Sequence, residues 1–274
     1  MKIQFTKMHG IGNDFVVVDG RKRKLPNPKK AARLLCDRRL GVGADQVLVL
    51  EKSRKADFFM RIYNADGSEV GMCGNGIRCL AKYVTDEGIF SKKEIRIETP
   101  SGIQVAKMVG KNKVTVDMGV PILKGREIPV NLSGRVINRP MRVDGKEMRA
   151  TCVSMGNPHC VLFVDEPKTY PVEKYGPLFE KHHLFPKKTN VEFVKVVSPS
   201  QVEMRVWERG AGETLACGSG ACAVVVASVM NGHTGREVRV KLLGGCLDIE
   251  WRRGDDHVYM TGAAETVFKG EIEI

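Results

Sequence analysis

Short runs of aliphatic and β-branched residues alternate with polar segments along most of the chain, a pattern that predicts many strands and few helices. The clearest strand-like runs in the first half cover residues 15–18, 47–50, 58–63, 95–98 and 114–118. Two segments favour helices instead, and each follows a Cys-Gly motif. Residues 77–84 place their apolar side chains on one helical face, whereas residues 221–230 are apolar almost all round. We expect strands to cover the second helix on most sides.

The second half of the chain repeats the first at a displacement of 144 residues. Matching segments at this displacement are 72–76 with 216–220, 61–64 with 205–208, Glu69 with Glu213, 12–13 with 156–157, and Gln46 with Asn190. Residues 95–97 match 238–240 at 143, which requires one gap of a single residue. Glycine-rich pentapeptides recur by chance, but several segments in one register indicate an internal duplication.

The repeat and the strand pattern together predict an α/β (α+β) fold of two pseudo-symmetric halves. Each half is expected to be a curved mixed or antiparallel sheet around one central helix, with the active site in the cleft between the halves. We place the halves at residues 1–118 and 119–262, with the boundary near Gly119. The last strand has no counterpart in the second repeat, so residues 263–274 are predicted to return to the first half.

The chain is basic, with 44 Lys and Arg against 32 Asp and Glu among 274 residues and a net charge of +12. Such a charge fits nucleic-acid binding, attraction of anionic substrates or a solvated basic surface. The densest clusters, residues 21–24 and 29–30, are predicted to lie in one proline-containing loop without interleaved aromatic residues. This favours the solvated surface and argues against a nucleic-acid partner.

Neither a membrane span nor an export signal is evident. The most apolar stretch, residues 221–230, is far shorter than the roughly 20 residues that a spanning helix needs. The first residues lack the apolar core and small-residue cleavage site of a signal peptide. We therefore expect a cytoplasmic protein without a membrane partner.

Eight cysteines in a reducing compartment suggest metal binding or catalysis, because structural disulfides are disfavoured there. The close pairs Cys73 and Cys79, Cys217 and Cys222, and the dipeptide His159-Cys160 lack convincing zinc-ligand spacing. No metal is expected.

Two cysteines, Cys73 and Cys217, are equivalent in the repeat and directly precede glycines and a helix. A thiol at a helix N-terminus faces backbone N–H groups and the positive end of the helix dipole, which predicts a lowered pKa. The small residues that follow let N–H groups approach an anion. A buried structural cysteine capping a core helix is the alternative for either residue alone.

Two equivalent thiols on opposite sides of a cleft suit inversion of a tetrahedral carbon. One thiolate would remove a proton from one face while the opposite thiol delivers a proton to the other, as in racemisation or epimerisation. No lysine motif for a pyridoxal Schiff base is evident, so no cofactor is expected.

Several long motifs resemble those of the diaminopimelate epimerase family from the first ten residues of the chain to the last ten. They are residues 8–15 (MHGIGNDF), 64–69 (NADGSE), 73–79 (CGNGIRC), 155–160 (MGNPHC), 208–214 (ERGAGET) and 217–222 (CGSGAC). The resemblance implies an isomerase that interconverts LL- and meso-diaminopimelate in lysine and peptidoglycan precursor biosynthesis. It also implies catalysis by Cys73 and Cys217 without pyridoxal phosphate.

The resemblance further implies the roles of residues around the two cysteines. Those matching substrate-binding residues are Asn13, Gln46, Asn64, Gly74, Asn75, Asn157, Asn190, Glu208, Arg209, Gly218 and Ser219, the four at residues 74–75 and 218–219 forming a carboxylate cradle. His159 and Glu208 match residues that tune the thiols. Three pairs of these residues are partners in the repeat: Asn13 with Asn157, Gln46 with Asn190, and Asn64 with Glu208.

The symmetry of the repeat fails where Arg209 faces Ala65 and His159 faces Phe15 in the alignment. The tail of a substrate leaves the reacting carbon in one direction, so we expect Arg209 to grip a distal carboxylate. An ion pair with Glu213 is the alternative for this arginine. For His159 the alternative is a core histidine, and for Glu208 a surface charge at a strand end.

Other functions were weighed against this one. A proline racemase-like enzyme also uses two cysteines at helix starts, and Cys217 with His159 and Asn157 could form a cysteine hydrolase. A hydrolase leaves Cys73 and the repeat unexplained, and a nucleic-acid-binding protein is supported by the basic charge but by no motif. The family resemblance implies a homodimer; Phe268 stands where some members have an interface tyrosine.

Overall fold

A computed structural model describes all residues, 1–274, and they form two compact units. The first unit comprises Met1–Asp117 with Thr261–Ile274, and the second comprises Met118–Met260. None of the helices combines the length and the apolar character that crossing a bilayer requires.

The first unit contains two α-helices and nine complete strands. In chain order its elements are β1 (Lys2–Gly10), β2 (Asn13–Asp19), α1 (Pro28–Cys36), β3 (Gln46–Glu51), β4 (Phe58–Asn64), β5 (Glu69–Val70), α2 (Gly74–Asp86), β6 (Glu94–Thr99), β7 (Gly102–Met108), β8 (Lys113–Asp117) and the last strand, β18 (Glu265–Glu273).

The second unit repeats this succession. Its elements are a 3₁₀ turn (Gly125–Glu127), β9 (Arg139–Val143), β10 (Lys146–Ser154), β11 (Pro158–Phe163), α3 (Val172–Glu180), β12 (Asn190–Ser198), β13 (Gln201–Glu208), β14 (Gly212–Thr214), α4 (Gly218–Met230), β15 (Glu237–Leu242) and β16 (Gly245–Trp251), with β17 (Val258–Ala263) running across the boundary.

Strand pairing follows the same order in both units. In the first, β18, β1 and β2 are antiparallel neighbours, β3 runs parallel to β2, and β4 returns antiparallel to β3. In the second, β9, β10, β11, β12 and β13 pair with the same directions. The C-terminal strand β18 therefore lies beside β1 as β9 lies beside β10.

The register of the pairs also follows the repeat. Phe15 lies opposite Gln46 in the first unit, and 144 residues later His159 lies opposite Asn190. Beyond the one-residue gap, Phe58 pairs with Ile97 as Val202 pairs with Val240. Because a slip of one residue would turn every side chain to the other face of a sheet, equal register means that equivalent residues share equivalent faces.

Each unit has a central helix, α2 or α4, of 13 residues. Helix α2 packs against β1, β2, β3, β7, β8 and β18, and α4 packs against β10, β11, β12, β15 and β16. The apolar residues 221–227 of α4 are all fully buried, as the all-round apolar pattern predicts. The predicted α/β class, sheet-dominated with few helices, is confirmed.

Two helices were missed, α1 and α3. Helix α1 begins after Asn27, whose side chain accepts a hydrogen bond from the backbone N–H of Lys30, and Pro28 occupies its first turn. The prediction that Lys29 and Lys30 lie in a loop is therefore wrong. They stand on the outer face of α1, whose inner face packs Ala31, Ala32 and Leu35 into the core.

Candidate active site

Cys73 and Cys217 are the N-cap residues of α2 and α4. Both have an extended backbone, with φ −144° and ψ 113° at Cys73 and φ −122° and ψ 108° at Cys217, and neither closes the helix with a side-chain hydrogen bond. Each sulfur atom is thereby held at the start of a helix, beside backbone N–H groups that have no partner inside the helix. Cys217 is buried and Cys73 is partly exposed.

The first unit groups two of the expected site residues, Asn13 and Asn75, around Cys73. The Sγ atom of Cys73 lies 3.7 Å from Oδ1 of Asn13, and Nδ2 of Asn75 donates to the same oxygen at 3.1 Å. The amide of Asn13 cannot turn freely, because its own Nδ2 donates to Asp45 at 2.8 Å. Arg38 in turn bridges the carboxylates of Asp45 and Asp14. An oxygen atom of Asn13 is thus presented to the sulfur.

Gln46 and Asn64 form a second polar contact at the ends of β3 and β4. Nε2 of Gln46 donates to Oδ1 of Asn64 at 2.8 Å, and Nδ2 of Asn64 donates to Ser68. The Oε1 atom of Gln46 is buried and has no hydrogen-bond partner. A buried acceptor without a partner is costly, so this atom is suited to receive a donor from a ligand such as an ammonium group.

The second unit joins the equivalent residues into one chain of contacts. Oγ of Ser219 lies 3.7 Å from the Sγ atom of Cys217 and accepts from Nδ2 of Asn157 at 3.2 Å. Oδ1 of Asn157 lies 3.1 Å from Nε2 of His159, and Nδ1 of His159 lies 2.6 Å from Oε1 of Glu192. His159 is fully buried, but its polar contacts connect it to the cysteine.

Glu208 ends β13 next to the second cysteine. Its carboxylate accepts a hydrogen bond from Oγ1 of Thr214, on the neighbouring strand β14, and another from the thiol of Cys217. Burial raises the pKa of Glu208, although both hydrogen bonds and the nearby His159 oppose the shift. Glu208 is therefore not a strand-end surface charge, and its carboxylate is a stronger base than that of an exposed glutamate.

The pKa of Cys217 is the opposite of what the helix terminus predicts. Burial raises it well above the usual value for a thiol, and the charges of Glu208 and Glu192 raise it further. The hydrogen bonds from Ser219 and from the backbone N–H of Gly220 lower the pKa, but they are outweighed. The prediction that the helix terminus lowers the pKa is therefore wrong for Cys217, because desolvation and two nearby acids exceed the contribution of the first helical turn.

Arg209 follows Glu208 and reaches the surface. Its backbone N–H donates to Oδ1 of Asn190 at 2.9 Å, and its guanidinium donates to the carbonyl of Lys187 at 3.0 Å. The suggested ion pair with Glu213 is wrong, since Glu213 binds Arg205 through both carboxylate oxygens. Asn190 is fixed from its other side as well, where its Nδ2 donates to the carbonyl of Pro158.

Three polar partners in these groups were not predicted: Asp45, Thr214 and Glu192. Glu192 had the clearest signal, because it is the acidic residue inside the apolar strand β12; its carboxylate is fully buried. Asp45 lies between Ala44 and the strand β3, and an aspartate before a strand is also typical of an ordinary loop. Thr214 carries no sequence feature that distinguishes it.

Among the remaining cysteines, Cys36, Cys79, Cys152 and Cys160 are buried. Cys152 and Cys160 are buried opposite each other on β10 and β11, and hydrogen bonding to Cys152, followed by burial, raises the pKa of Cys160. Burial raises the pKa of Cys36 and of Cys79 to about 12. Within each unit the cysteines form no disulfide, and no group of three or more His, Cys, Asp or Glu side chains is arranged to hold a metal ion.

Comparison with solved structures supports the fold. A phenazine biosynthesis protein of the PhzF family from Bacillus anthracis matches with a TM-score of 0.73 at 16% identity, covering 100% of both chains. A hydroxyproline epimerase from Agrobacterium vitis, with bound trans-4-hydroxy-L-proline, matches with a TM-score of 0.72 at 16% identity, covering 99% of this chain and 92% of that one. At such low identity these matches show a shared fold.

Sequence comparison is more specific. The family model for diaminopimelate epimerase matches residues 5–124 and 151–267. The diaminopimelate epimerase of Acetivibrio thermocellus is 52% identical over 277 residues, covering 99% of both chains. That of Carboxydothermus hydrogenoformans is 54% identical over 272 residues, covering 98% of this chain and 99% of its own. The chain belongs to the diaminopimelate epimerase family, a family of amino-acid isomerases.

Proposed function

We propose that this protein interconverts LL-2,6-diaminopimelate and meso-2,6-diaminopimelate, in the supply of lysine and peptidoglycan precursors. The observation that carries the proposal is the duplicated cysteine site. Cys73 and Cys217 each cap a 13-residue central helix, and each belongs to a hydrogen-bonded group with the equivalent asparagine, Asn13 or Asn157. Relatives at 52–54% identity over nearly the full length carry the name of this activity.

The reaction needs one base and one acid. One sulfur, as thiolate, takes the proton from Cα, and the C–H electron pair stays on carbon and spreads into the adjacent carboxylate. The other sulfur, as thiol, gives its proton to the opposite face of the same carbon. Cys73 and Cys217 exchange these roles when the direction reverses, so protons balance and no electron is lost. Inversion requires approach from both faces of the carbon, and the two cysteines supply one group for each face.

The negative charge that develops on the substrate must be stabilised by groups that are in position before the reaction. The first residues of α2 and α4, Gly74-Asn75 and Gly218-Ser219, offer backbone N–H groups and the positive ends of two helix dipoles. Donors placed where charge develops lower the barrier of such steps strongly. We assign these four residues to the reacting carboxylate. With a cradle of this kind, the reaction is expected to proceed without pyridoxal phosphate or a metal ion.

Glu208 is placed to take up the proton of Cys217. The thiol donates to its carboxylate, and burial raises the pKa of Glu208, which supports this carboxylate as the base that takes up the proton. We propose that Glu208 and His159 adjust the protonation of the cysteines during turnover.

The substrate is held by residues around both cysteines. We assign its binding to Asn13, Gln46, Asn64, Asn157, Asn190, Glu208 and Arg209. The unpartnered oxygen of Gln46 suits an ammonium group, and the exposed guanidinium of Arg209 suits the distal carboxylate.

Exchange of the Cα proton in D₂O tests the proposal. The enzyme, reduced and without added pyridoxal phosphate, should convert LL-diaminopimelate to meso product and incorporate deuterium at Cα. Cys73→Ala and Cys217→Ala should each abolish inversion, whereas Cys246→Ala, which removes an exposed cysteine, should not. If the enzyme shows neither deuterium exchange nor meso product under reducing conditions, the proposed activity is refuted.

Two other activities are weaker. A cysteine hydrolase needs a histidine nitrogen at Cys217, but Nε2 and Nδ1 of His159 contact Asn157 and Glu192 instead. A proline racemase-like activity would leave Arg209 without a carboxylate to bind, and L-proline in the same exchange experiment distinguishes it.

A cytoplasmic homodimer is the form in which we expect the enzyme to act. Val267 and Phe268 on β18 leave about half of their surface exposed, at 55% and 47%, and Phe268 packs edge-on against Phe5. Such apolar exposure is suited to a subunit contact. Light scattering should give a dimer for the native protein, and Phe268→Asp should weaken it.

A further inference from the structure

His159 and Glu192 form a buried pair on the neighbouring strands β11 and β12. Both side chains have no solvent exposure, and 2.6 Å separates Nδ1 of His159 from Oε1 of Glu192. The second carboxyl oxygen, Oε2, is buried without a hydrogen-bond partner. Burying an acid in this way costs stability, and the proposed mechanism uses Glu192 nowhere. We expect a buried acid with this cost in stability to have a function.

Counting protons shows what the pair does. Asn157 donates from Nδ2 to Ser219, so its Oδ1 faces His159 as an acceptor, and Nε2 of His159 must carry a proton. The short contact at Nδ1 requires one further proton between this nitrogen and Glu192. That proton can reside on either partner, and the pair is neutral overall in both cases. Glu192 therefore keeps Nε2 of His159 a donor whichever partner holds the shared proton.

The first unit has no such pair, which shows that the fold does not need it. The positions equivalent to His159 and Glu192 in the repeat are Phe15 and Leu48, and both are fully buried apolar residues. The two central helices each have a glycine next to these positions, Gly76 beside Leu48 and Gly220 beside Glu192. A Cβ atom on Gly76 would lie 3.1 Å from Leu48, and one on Gly220 would lie 2.9 Å from Oε1 of Glu192.

The two asparagines are consequently presented in opposite orientations. Asp45 accepts from Nδ2 of Asn13, so the oxygen of that amide faces Cys73. His159 donates to Oδ1 of Asn157, so the NH₂ group of that amide faces Ser219. With an N–H donated to its oxygen, Ser219 is free to donate its hydroxyl proton to the sulfur of Cys217. We call Cys73 with Asn13 and Asn75 the first half-site, and Cys217 with Ser219 and Asn157 the second. The first half-site offers its cysteine a hydrogen-bond acceptor, and the second offers a donor.

We propose that Glu192 is a positioning residue for the second half-site: through His159 it holds the amide of Asn157 with its NH₂ group toward Ser219, beside Cys217. The kinetic part of this inference rests on the proposed function, but the orientation of the amide does not. Glu208, Cys217 and Cys160 interact electrostatically with this pair, and the contact at Nδ1 of His159 is with Oε1 of Glu192.

Nitrogen NMR of histidine-labelled protein reads the orientation directly. In the native protein the Nε2 signal of His159, assigned by its loss in His159→Phe, should be that of a protonated nitrogen. Glu192→Leu, which copies Leu48, should produce a mixture of tautomers. Glu192→Gln can still donate to Nδ1 and should keep the native signal. Glu180→Gln alters another buried acid of this unit, one that accepts from Trp207, and should leave His159 unchanged.

A double-mutant cycle with Asn157→Ala tests the pathway of the effect. A displacement of about 1 Å at a reacting group can cost about 100-fold in rate, so Glu192→Leu should lower kcat/KM for diaminopimelate by up to about that factor, and Glu192→Gln by much less. Once Asn157 is alanine, Glu192→Leu should have little further effect, because its partner is gone.

Several outcomes would overturn the inference. One is an equal loss of kcat/KM in Glu192→Gln and Glu192→Leu. Another is a loss in Glu192→Leu that multiplies with the loss caused by Asn157→Ala. The third is an unchanged Nε2 signal of His159 in Glu192→Leu. If the native enzyme does not act on diaminopimelate, the proposed function fails by itself, and the NMR comparison still decides the role of Glu192. Glu192→Gln provides the decision if Glu192→Leu does not fold.

Discussion

Arg209 is a residue at which the symmetry of the repeat fails. Its counterpart in the repeat is Ala65, so the first half-site offers no equivalent cation. Its backbone N–H is bound by Asn190, and its guanidinium has a carbonyl but no carboxylate as partner. These contacts hold the main chain and leave the charge available for a ligand.

Removing that charge should weaken the enzyme on its own substrate. A hydrogen bond to a charged group contributes about 1.5–3 kcal/mol, so Arg209→Ala should lower kcat/KM for diaminopimelate by about 10- to 150-fold. Steady-state kinetics check this, with Arg253→Ala as the control for loss of an exposed arginine in the same unit. Near-normal kinetics of Arg209→Ala would contradict the assigned contact.

Asp14 carries a different kind of prediction, because it lies beneath the first half-site. Burial raises the pKa of Asp14, but hydrogen bonds from Arg38 and Lys7 outweigh it and lower the pKa to about 2. The carboxylate therefore stabilises the fold above about pH 4, and this contribution is lost as the pH falls toward 2.

Asp14→Asn should thus be less stable than the native protein by about 1–2 kcal/mol at pH 7, a value reduced for partial exposure. The difference should shrink below about pH 4. Urea denaturation at pH 7, 4 and 3 measures it, and Asp165→Asn, at an exposed aspartate, serves as control. A difference that is constant with pH would show that the charge of Asp14 is not responsible.

The chemistry of single residues could be predicted where the repeat supplied a second copy. The repeat singled out Cys73 and Cys217, and the family resemblance added the asparagines at 13 and 157, which are also partners 144 residues apart. Glu192 and Asp45 have no such partner, since their counterparts are Leu48 and Thr189. The pKa of Cys217 was mispredicted because a sequence shows the helix that follows a cysteine but not how deeply the thiol is buried.

The strands and central helices were predictable for a related reason, since their apolar periodicity is strong and occurs twice. Helices α1 and α3 are also equivalent in the repeat, at residues 28–36 and 172–180, but the duplication was not recognised there. Helix α1 is rich in lysine and arginine on its outer face, and α3 has Pro177 inside it and no side-chain cap. Their apolar faces are too short to be distinct in the sequence.

The first turns of α2 and α4 differ in the space beside an equivalent glycine, Gly76 in α2 and Gly220 in α4. Alanine in place of glycine inside a helix gains about 1 kcal/mol by propensity. At Gly76 the new Cβ meets the end of Leu48 at 3.1 Å, a side chain that can move. At Gly220 it meets Glu192 at 2.9 Å and the sulfur of Cys217 at 3.2 Å, both held by hydrogen bonds.

Gly220→Ala should therefore be destabilised by about 1–3 kcal/mol and lose most of its activity, whereas Gly76→Ala should be close to native stability. The two substitutions are matched controls, since they are made at equivalent positions of equivalent helices. Urea denaturation and kcat for both variants measure the difference. Equal behaviour would show that Glu192 does not restrict the space at Gly220.

At the scale of the whole molecule, the net charge of +12 has less to do with function than it first suggests. The first unit ties several basic side chains to acids, as in the pairs Arg21 with Asp19 and Arg61 with Glu69. Diaminopimelate carries two ammonium and two carboxylate groups near neutral pH, so a basic protein attracts it little over long distances. The proposed mechanism depends on the duplication of the cysteine site and not on the net charge.

Oxidation tests whether the two halves of this duplication act on one carbon atom. If Cys73 and Cys217 approach the same Cα from opposite faces, their sulfurs face each other when no substrate lies between them, and an oxidant should join them in a disulfide. Mild peroxide should then inactivate the enzyme, dithiothreitol should restore it, and diaminopimelate should protect it. Mass spectrometry of digested protein should show a peptide linked through Cys73 and Cys217. Cys246→Ser, which removes an exposed thiol, should behave in the same way. Full activity after peroxide, with both thiols still titratable, would show that the two cysteines do not share one site.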